Sequence, residues 1–181
     1  MEQESKLMGQ SDDNALGPWL TAPKSYRDLR ASIRKALGFP HERRPLLIGI
    51  DGLDGAGKTS LASWLSWQLE MPAIHLDLYI VNGSKPLRFR SEDLAQTLDA
   101  RAKQGRPLIV EGVLLLQALS EIDYSPDFLV YVHKASHQSS LRPLIQDYLT
   151  VFQSRSKAHE VVKWSSAKRD RQIAKAHQNR V

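Results

Sequence analysis

Residues 49–60 read GIDGLDGAGKTS and contain a complete phosphate-loop pattern, G-x-x-x-x-G-K-[ST], from Gly52 to Thr59. Glycines allow such a loop to turn so that successive backbone N–H groups face the oxygens of a phosphate. A helix that starts at the lysine adds about half a positive charge at its N-terminus. The pattern predicts that the loop binds a nucleoside triphosphate. The residues predicted to hold it are Gly52, Leu53, Asp54, Gly55, Ala56, Gly57, Lys58, Thr59 and Ser60.

Two side chains of this loop have predicted chemical roles. Lys58 is expected to reach the β- and γ-phosphates, and the Thr59 hydroxyl is expected to bind Mg²⁺. The alternative is a glycine-rich turn without a ligand, and the predicted strand before the loop and helix after it argue against that. A dinucleotide-binding G-x-G-x-x-G pattern is not met, because Ser60 stands where its third glycine would fall.

The rest of the chain alternates short apolar runs with amphipathic stretches. This alternation predicts an α/β fold, the three-layer P-loop NTPase fold, with an open parallel sheet and helices on both faces. We expect a flexible N-terminal arm at 1–23 and a single domain over 24–181. Strands are predicted at 46–50, 73–76, 108–110 and 128–132. Helices are predicted at 24–37, 58–69, from an N-cap at Ser91 to about Gly105, at 113–119, and over most of 139–178.

Acidic residues end two of the predicted strands. Asp77 follows the second strand and Glu111 ends the third. The carboxyl ends of parallel strands line the ligand crevice, so both should converge on the phosphate loop. Asp77 would then accept the proton of an acceptor hydroxyl, and Glu111 would hold Mg²⁺ through water. The alternatives are a turn or cap residue for Asp77, and a strand-end carboxylate paired with an arginine for Glu111.

Other classes of nucleotide hydrolase fit the sequence less well. The N-K-x-D tetrapeptide that reads guanine in GTPase switches does not occur. The strand that should carry a Walker B aspartate reads Leu-Ile-Val-Glu and ends in Glu111. The missing tetrapeptide and the glutamate at the end of this strand therefore favour a small-molecule kinase over a GTPase or a motor ATPase.

Four segments resemble the uridine kinase-like branch of the P-loop nucleoside and metabolite kinases. They are GIDGLDGAGKTSLA at 49–62, HLDLY at 75–79, PLIVEGVLLL at 107–116 and DFLVYV at 127–132, and the resemblance covers roughly residues 30–133. It implies transfer of a phosphoryl group from ATP to a hydroxyl, with Asp77 activating the hydroxyl and Glu111 near the metal. It also implies a mobile lid after the fourth strand.

The lid segment departs from the family pattern R-x-x-x-R-D. Arg142 is followed by Gln146 and Asp147, so the second arginine is missing. Arg142 is the predicted lid cation, with Arg155 or Arg169 as alternatives. No strand is predicted beyond residue 150, and the base-binding side of the ATP site is therefore expected to be abbreviated.

The resemblance also places acceptor-binding residues after the second strand. Besides Asp77, these are Tyr79, Arg88 and Arg90, with a solvated loop as the alternative for the two arginines. The acceptor is expected to be a nucleoside or a related metabolite.

Composition excludes several other kinds of protein. The chain has 181 residues and no cysteine, which rules out disulfides, cysteine-ligated zinc and iron–sulfur clusters. No apolar run approaches the ~20 residues that cross a bilayer, and the polar N-terminus has no apolar signal core, so we expect a cytoplasmic protein without a membrane partner. Residues 134–181 carry 10 basic and 3 acidic side chains, which leaves a nucleic-acid partner as an alternative. A solvated helix is favoured, because no nucleic-acid-binding signature accompanies the charge.

The sequence thus predicts a P-loop small-molecule kinase that uses ATP and Mg²⁺ and phosphorylates a small-molecule hydroxyl. Two alternatives remain: an ATP-binding regulatory module with little transferase activity, and a nucleic-acid-associated NTP-binding protein. A homodimer is compatible with all three.

Overall fold

The computed structural model describes residues 22–134 and 141–164 and places five parallel strands in one sheet. In chain order the strands are β1 (Leu47–Gly52), β2 (Ala73–His75), β3 (Leu108–Glu111), β4 (Phe128–Lys134) and β5 (Glu160–Trp164). Their order across the sheet is β2-β3-β1-β4-β5, and every neighbouring pair is parallel. All carboxyl ends therefore lie at one edge, with β1 at the centre.

Helices cover both faces of this sheet, which confirms the predicted α/β fold. They are α1 (Lys24–Leu37), α2 (Lys58–Leu69), α3 (Ser91–Lys103), α4 (Leu115–Ser120), α5 (Arg142–Phe152) and α6 (Ser154–Lys157). One apolar core lies between the sheet and α1 and α2. A second core lies on the opposite face, beneath α3, α4 and α5. The sheet is buried from both sides, as parallel sheets usually are.

Alternation along β1 divides its side chains between the two cores. Ile48 and Ile50 are fully buried in the first core, and each contributes roughly 1.5–3 kcal/mol by leaving water. Asp51 lies between them and the phosphate loop, on the other face, and is also buried. The strand that leads into the loop is therefore fixed along its whole length.

The element boundaries agree with the sequence in most places. The predicted helices at 24–37 and 58–69 are observed with those ends. The second strand ends at His75, one residue early, because Leu76–Tyr79 forms a 3₁₀ turn. The N-cap prediction for Ser91 is wrong: Ser91 is the first helical residue, Arg90 precedes it, and neither side chain caps the helix.

The prediction of helix over most of 139–178 is wrong at the fifth strand. Helices α5 and α6 are present, but residues 160–164 pair with β4 as an edge strand. The statement that no strand follows residue 150 is therefore corrected. The strand was missed because it is short and, over residues 160–163, one buried apolar side chain, Val162, stands among the charged residues Glu160 and Lys163.

Some predictions fall outside the described residues. These are the flexible arm, except for its last two residues, the segment 135–140 after β4, and the basic stretch from 165 onward, with Arg169 in it. Within the described ranges, the search for a helix of sufficient length and apolarity to cross a membrane finds none.

Candidate active site

The phosphate loop connects the central strand to a helix whose N-terminus is electrostatically uncompensated. Helix α2 has no acidic residue in its first turn and no side-chain cap. Its first N–H groups and its dipole are therefore available to an anion. Gly57, immediately before the helix, has φ 93°, a left-handed conformation that glycine adopts without strain. The local structure is the one that the sequence pattern requires.

The first residue of the loop, Gly52, is held against the neighbouring strand. Its φ is 146°, and a Cβ atom built there would lie 2.4 Å from the carbonyl oxygen of Val132. No side chain fits at this distance from a backbone atom. The close approach of β1 and β4 fixes the place where the loop leaves the sheet.

Lys58 lies inside the loop that it is predicted to serve. Its side chain is buried, and Nζ donates a 2.9 Å hydrogen bond to the carbonyl of Leu53. Burial lowers the pKa of Lys58 below its ordinary value, and neighbouring carboxylates oppose that effect. In decreasing order of influence these belong to Glu111, Asp51, Asp54 and Asp77. Acidic side chains from three strand ends therefore surround one ammonium group.

Thr59 and Glu111 meet directly beneath the loop. The Thr59 hydroxyl donates a 3.0 Å hydrogen bond to Oε1 of Glu111, and Nδ1 of His75 lies 2.7 Å from the same oxygen. Glu111 is only 3% exposed. Its partners are therefore a hydroxyl and an imidazole, and the arginine pairing considered from the sequence is not observed.

This donor set fits the way that proteins hold Mg²⁺ for phosphoryl transfer. Within 22–134 and 141–164, no three His, Asp or Glu side chains converge as a metal cage. Mg²⁺ is usually held by one or two protein ligands, several waters and the phosphates of the substrate, so no cage is required. The Thr59 oxygen would bind the ion, while its proton remains donated to Glu111. His75, which the sequence did not assign to the site, orients Glu111.

Asp77 lies in the 3₁₀ turn that follows β2, at the carboxyl edge of the sheet. Its side chain is exposed and close enough to raise the pKa of Lys58. It is thus accessible to a bound acceptor and on the same edge as the loop. Tyr79, at the end of the turn, donates a 3.1 Å hydrogen bond to Thr97 of α3.

The two arginines predicted to bind the acceptor have different surroundings. The Arg90 guanidinium donates to the carbonyl of Leu78 at 2.6 Å, pairs with Asp93 at 3.2 Å and lies 6.0 Å from the Tyr79 ring centroid. These contacts brace the turn that carries Asp77. Arg88 is exposed on the adjoining loop, where its main chain pairs with Val81.

The predicted lid cation and a second lysine flank the segment 135–140. Helix α5 begins at Arg142, so its backbone is placed at the start of this helix. Lys134 ends β4, and its Nζ lies 3.5 Å from the carbonyl of Gly55 in the phosphate loop. The sequence did not single out Lys134, and the signal available was its position at the carboxyl end of β4, the strand beside the central one.

A second feature that the sequence did not reveal is the partner of Asp51. The Tyr148 hydroxyl donates a 2.5 Å hydrogen bond to Oδ2 of Asp51, across 97 positions of sequence. Burial raises the pKa of Asp51, while Tyr148, Ser154, the Gly52 amide and the positive charge of Lys58 lower it. An acidic residue inside an apolar strand was the visible signal, but nothing local identified its partner.

Comparison with known proteins supports the fold. No protein-family model matches the chain, and no curated protein matches it either. Among solved structures, a "possible uridine kinase" from Bacillus stearothermophilus has a TM-score of 0.55 at 21% identity, over 76% of this chain and 97% of that one.

Two more distant structures are also kinases. Shikimate kinase from Bacteroides thetaiotaomicron has a TM-score of 0.41 at 18% identity, over 64% of this chain and 85% of that one. Thymidylate kinase from Candida albicans has a TM-score of 0.39 at 14% identity, over 75% and 93%. The first likeness shows that this chain has the α/β fold found in P-loop kinases.

Proposed function

We propose that the chain is an ATP-dependent phosphotransferase that moves the γ-phosphate to a hydroxyl of a small molecule. The observation that carries the proposal is the hydrogen bond from Thr59 to Glu111 beneath a complete phosphate loop. A glycine-rich turn without a ligand does not require a buried carboxylate that accepts a hydrogen bond from the loop's threonine. In a nucleotide site the same contact aims the threonine oxygen at the metal.

Each residue of the site has a part in the proposed reaction. The loop amides and Lys58 bind the β- and γ-phosphates, which requires Lys58 to exchange its bond with Leu53 for phosphate oxygens. When bound, Mg²⁺ neutralises charge on the transferring group, and Thr59 and Glu111 would hold it. Asp77 orients the acceptor hydroxyl and accepts its proton.

The bonds that change follow from these positions. The acceptor oxygen forms a new bond to the γ-phosphorus while the bond to the β–γ bridging oxygen breaks. The hydroxyl proton passes to Asp77, and ADP leaves. Because the loop and the turn of Asp77 share one edge of the sheet, acceptor and triphosphate can lie in line.

The acceptor belongs to the finer part of the proposal. A nucleoside or related metabolite is supported by the four sequence segments that resemble uridine kinase-like proteins and by the structural likeness to the "possible uridine kinase". Besides Asp77, the proposed acceptor contacts are Tyr79, Arg88 and Arg90. Arg88 is exposed, whereas the Tyr79 hydroxyl and the Arg90 guanidinium would have to exchange their hydrogen bonds with Thr97 and Leu78 for bonds to the acceptor. We propose Arg142 as the cation of the lid.

A second candidate function is an ATP-binding module with little transfer. It is favoured by Gln146, an exposed neutral side chain of α5 where the family pattern has an arginine. A neutral amide cannot stabilise the charge of the transferring phosphoryl group as an arginine does.

Single-turnover transfer from γ-labelled ATP separates the two functions. The acceptor panel is made of nucleosides, sugars and pantothenate-like alcohols, with Lys58→Ala as the inactive control. Transfer to one acceptor class, lost in Lys58→Ala, supports the kinase. Tight nucleotide binding without transfer to any acceptor supports the binding module and contradicts the kinase.

A further inference from the structure

Asp51 is a buried carboxylate on the central strand that the proposed reaction does not use. It is 1% exposed and lies one residue before the phosphate loop. Taking an ionised carboxylate out of water is costly unless its oxygens are well paired. Replacing a buried ionised group and its partner by apolar side chains of similar volume often makes a fold more stable. The contacts of Asp51 show what the carboxylate does instead.

Its two oxygens connect three elements of the fold. Oδ1 accepts the N–H of Gly52 at 2.7 Å, and Oδ2 accepts the Tyr148 hydroxyl at 2.5 Å. The Tyr148 oxygen in turn accepts the N–H of Leu116, in the first turn of α4, at 3.1 Å. A chain of hydrogen bonds thus runs from the start of the loop through α5 to α4.

The surroundings keep this carboxylate in place. Burial raises the pKa of Asp51, while Ser154 of α6, itself fully buried, and the positive charge of Lys58 lower it. On β4, Tyr131 faces the same group, and burial and then Asp51 raise its pKa. Arg155 of α6 acts on Tyr131 in the opposite direction. Polar groups of α2, α5, α6 and β4 therefore lie around Asp51.

We propose that Asp51 and Tyr148 are positioning residues of the phosphate loop, fixing the Gly52 amide and tying the loop to α5. The inference rests on the proposed function for its effect on nucleotide binding. Helix α5 starts at Arg142, six residues before Tyr148, or about 9 Å along the helix. The pair therefore sets the distance between the phosphates and the helix that begins with the predicted lid cation.

A hydrogen bond that only stabilises the fold predicts a different result from one that positions the phosphate loop. Loss of a structural hydrogen bond lowers the melting temperature and leaves the folded protein's nucleotide site as it was. Loss of a positioning bond frees the Gly52 amide and weakens nucleotide binding in molecules that are still folded. The two roles are separated by measuring Gly52 amide exchange, nucleotide affinity and melting temperature in the same variant.

The test compares Tyr148→Phe with Tyr26→Phe. Tyr26 is about as buried as Tyr148, but it belongs to α1 on the opposite face of the sheet. Tyr26→Phe therefore controls for removal of a buried tyrosine hydroxyl. We expect Tyr148→Phe to speed hydrogen exchange of the Gly52 amide and to raise the Kd for Mg·ADP about tenfold. Tyr26→Phe should leave both unchanged. ADP is used so that turnover does not intervene.

Asp51→Asn provides a second, nearly isosteric variant. Its Nδ2 cannot accept the Tyr148 proton, so it should change both measurements in the same direction, and it decides the question if Tyr148→Phe does not fold. Folded variants that lose only melting temperature, with Gly52 exchange and Kd within about twofold of the wild type, overturn the inference. If the wild type binds no nucleotide, the proposed function fails, while the exchange measurement still tests the positioning pair.

Discussion

The Thr59 hydroxyl donates a 3.0 Å hydrogen bond to the buried carboxylate of Glu111, linking the first turn of α2 to the end of β3. Glu111 also contacts His75, so one carboxylate oxygen connects three neighbouring elements at the carboxyl edge of the sheet. Because the Thr59 hydroxyl donates its proton to Glu111, the lone pairs of its oxygen can bind a cation that accompanies the phosphates. The hydrogen bond between Thr59 and Glu111 therefore fixes the orientation of the phosphate loop's threonine.

Glu111→Gln should weaken metal-dependent nucleotide binding. The amide keeps the size of the side chain but removes the charge that supports the cation. We expect the Kd for Mn·ATP to rise about 10- to 100-fold, with little change for metal-free ATP, as measured by Mn²⁺ electron paramagnetic resonance and calorimetry. Ser63→Ala, an exposed hydroxyl of the same helix, is the control. Equal loss with and without metal would contradict the role of Glu111.

Asp77→Asn should impair transfer while sparing nucleotide binding. The amide cannot accept the acceptor's proton, so kcat should fall about 10²- to 10⁴-fold. The Kd for ATP should stay within about twofold, because Asp77 is exposed and outside the loop. Glu92→Gln, an exposed acid at the start of α3, is the matched control. Turnover of Asp77→Asn at the wild-type rate would remove Asp77 from its role.

Gly52→Ala and Gly57→Ala should differ in stability. At Gly57 no atom lies within 4 Å of the added carbon, and the cost is the left-handed backbone, about 1–2 kcal/mol. At Gly52 the new carbon meets the Val132 carbonyl at 2.4 Å, and we expect ~3 kcal/mol or more. Urea denaturation measures both. Equal losses would mean that β1 and β4 do not approach as closely as described.

Asp51 should make stability depend on pH in the acid range. Burial holds its pKa above the ordinary 3.8, so the folded protein binds this proton more tightly than the unfolded chain does. The unfolding free energy, relative to that of Asp51→Asn, should therefore fall as the pH rises from about 4 through the folded-state pKa. Urea denaturation of both proteins at matched pH tests this. A difference that grows with pH would reverse the assigned direction.

The parts of the site predicted from sequence are those whose positions follow from parallel topology. The phosphate loop follows β1, Asp77 lies in the turn that follows β2, and Glu111 ends β3; the carboxyl ends of parallel strands share one edge of the sheet. The helix over 58–69 was predicted with its observed ends because Gly57 precedes it and one face carries Leu61 and Leu65.

The features that were missed depend on contacts that no local pattern carries. The Asp51–Tyr148 pair joins residues 97 positions apart, and His75 contacts Glu111 only because β2 and β3 are neighbours. The β5 strand pairs with β4, a contact between segments about 30 positions apart that the local sequence does not show. The hydrogen bond from Arg90 to the carbonyl of Leu78 likewise joins residues 12 positions apart, and the role of Arg90 in binding the acceptor stays a prediction.

The central claim is that the loop from Gly52 to Thr59 binds a nucleoside triphosphate through Lys58. Isothermal titration of the folded protein with Mg·ATP, beside Lys58→Ala, tests it most directly. We predict saturable heat with a micromolar Kd for the wild type and at least tenfold weaker binding for Lys58→Ala. No heat with any nucleoside triphosphate, or equal affinity for the two proteins, would contradict the account.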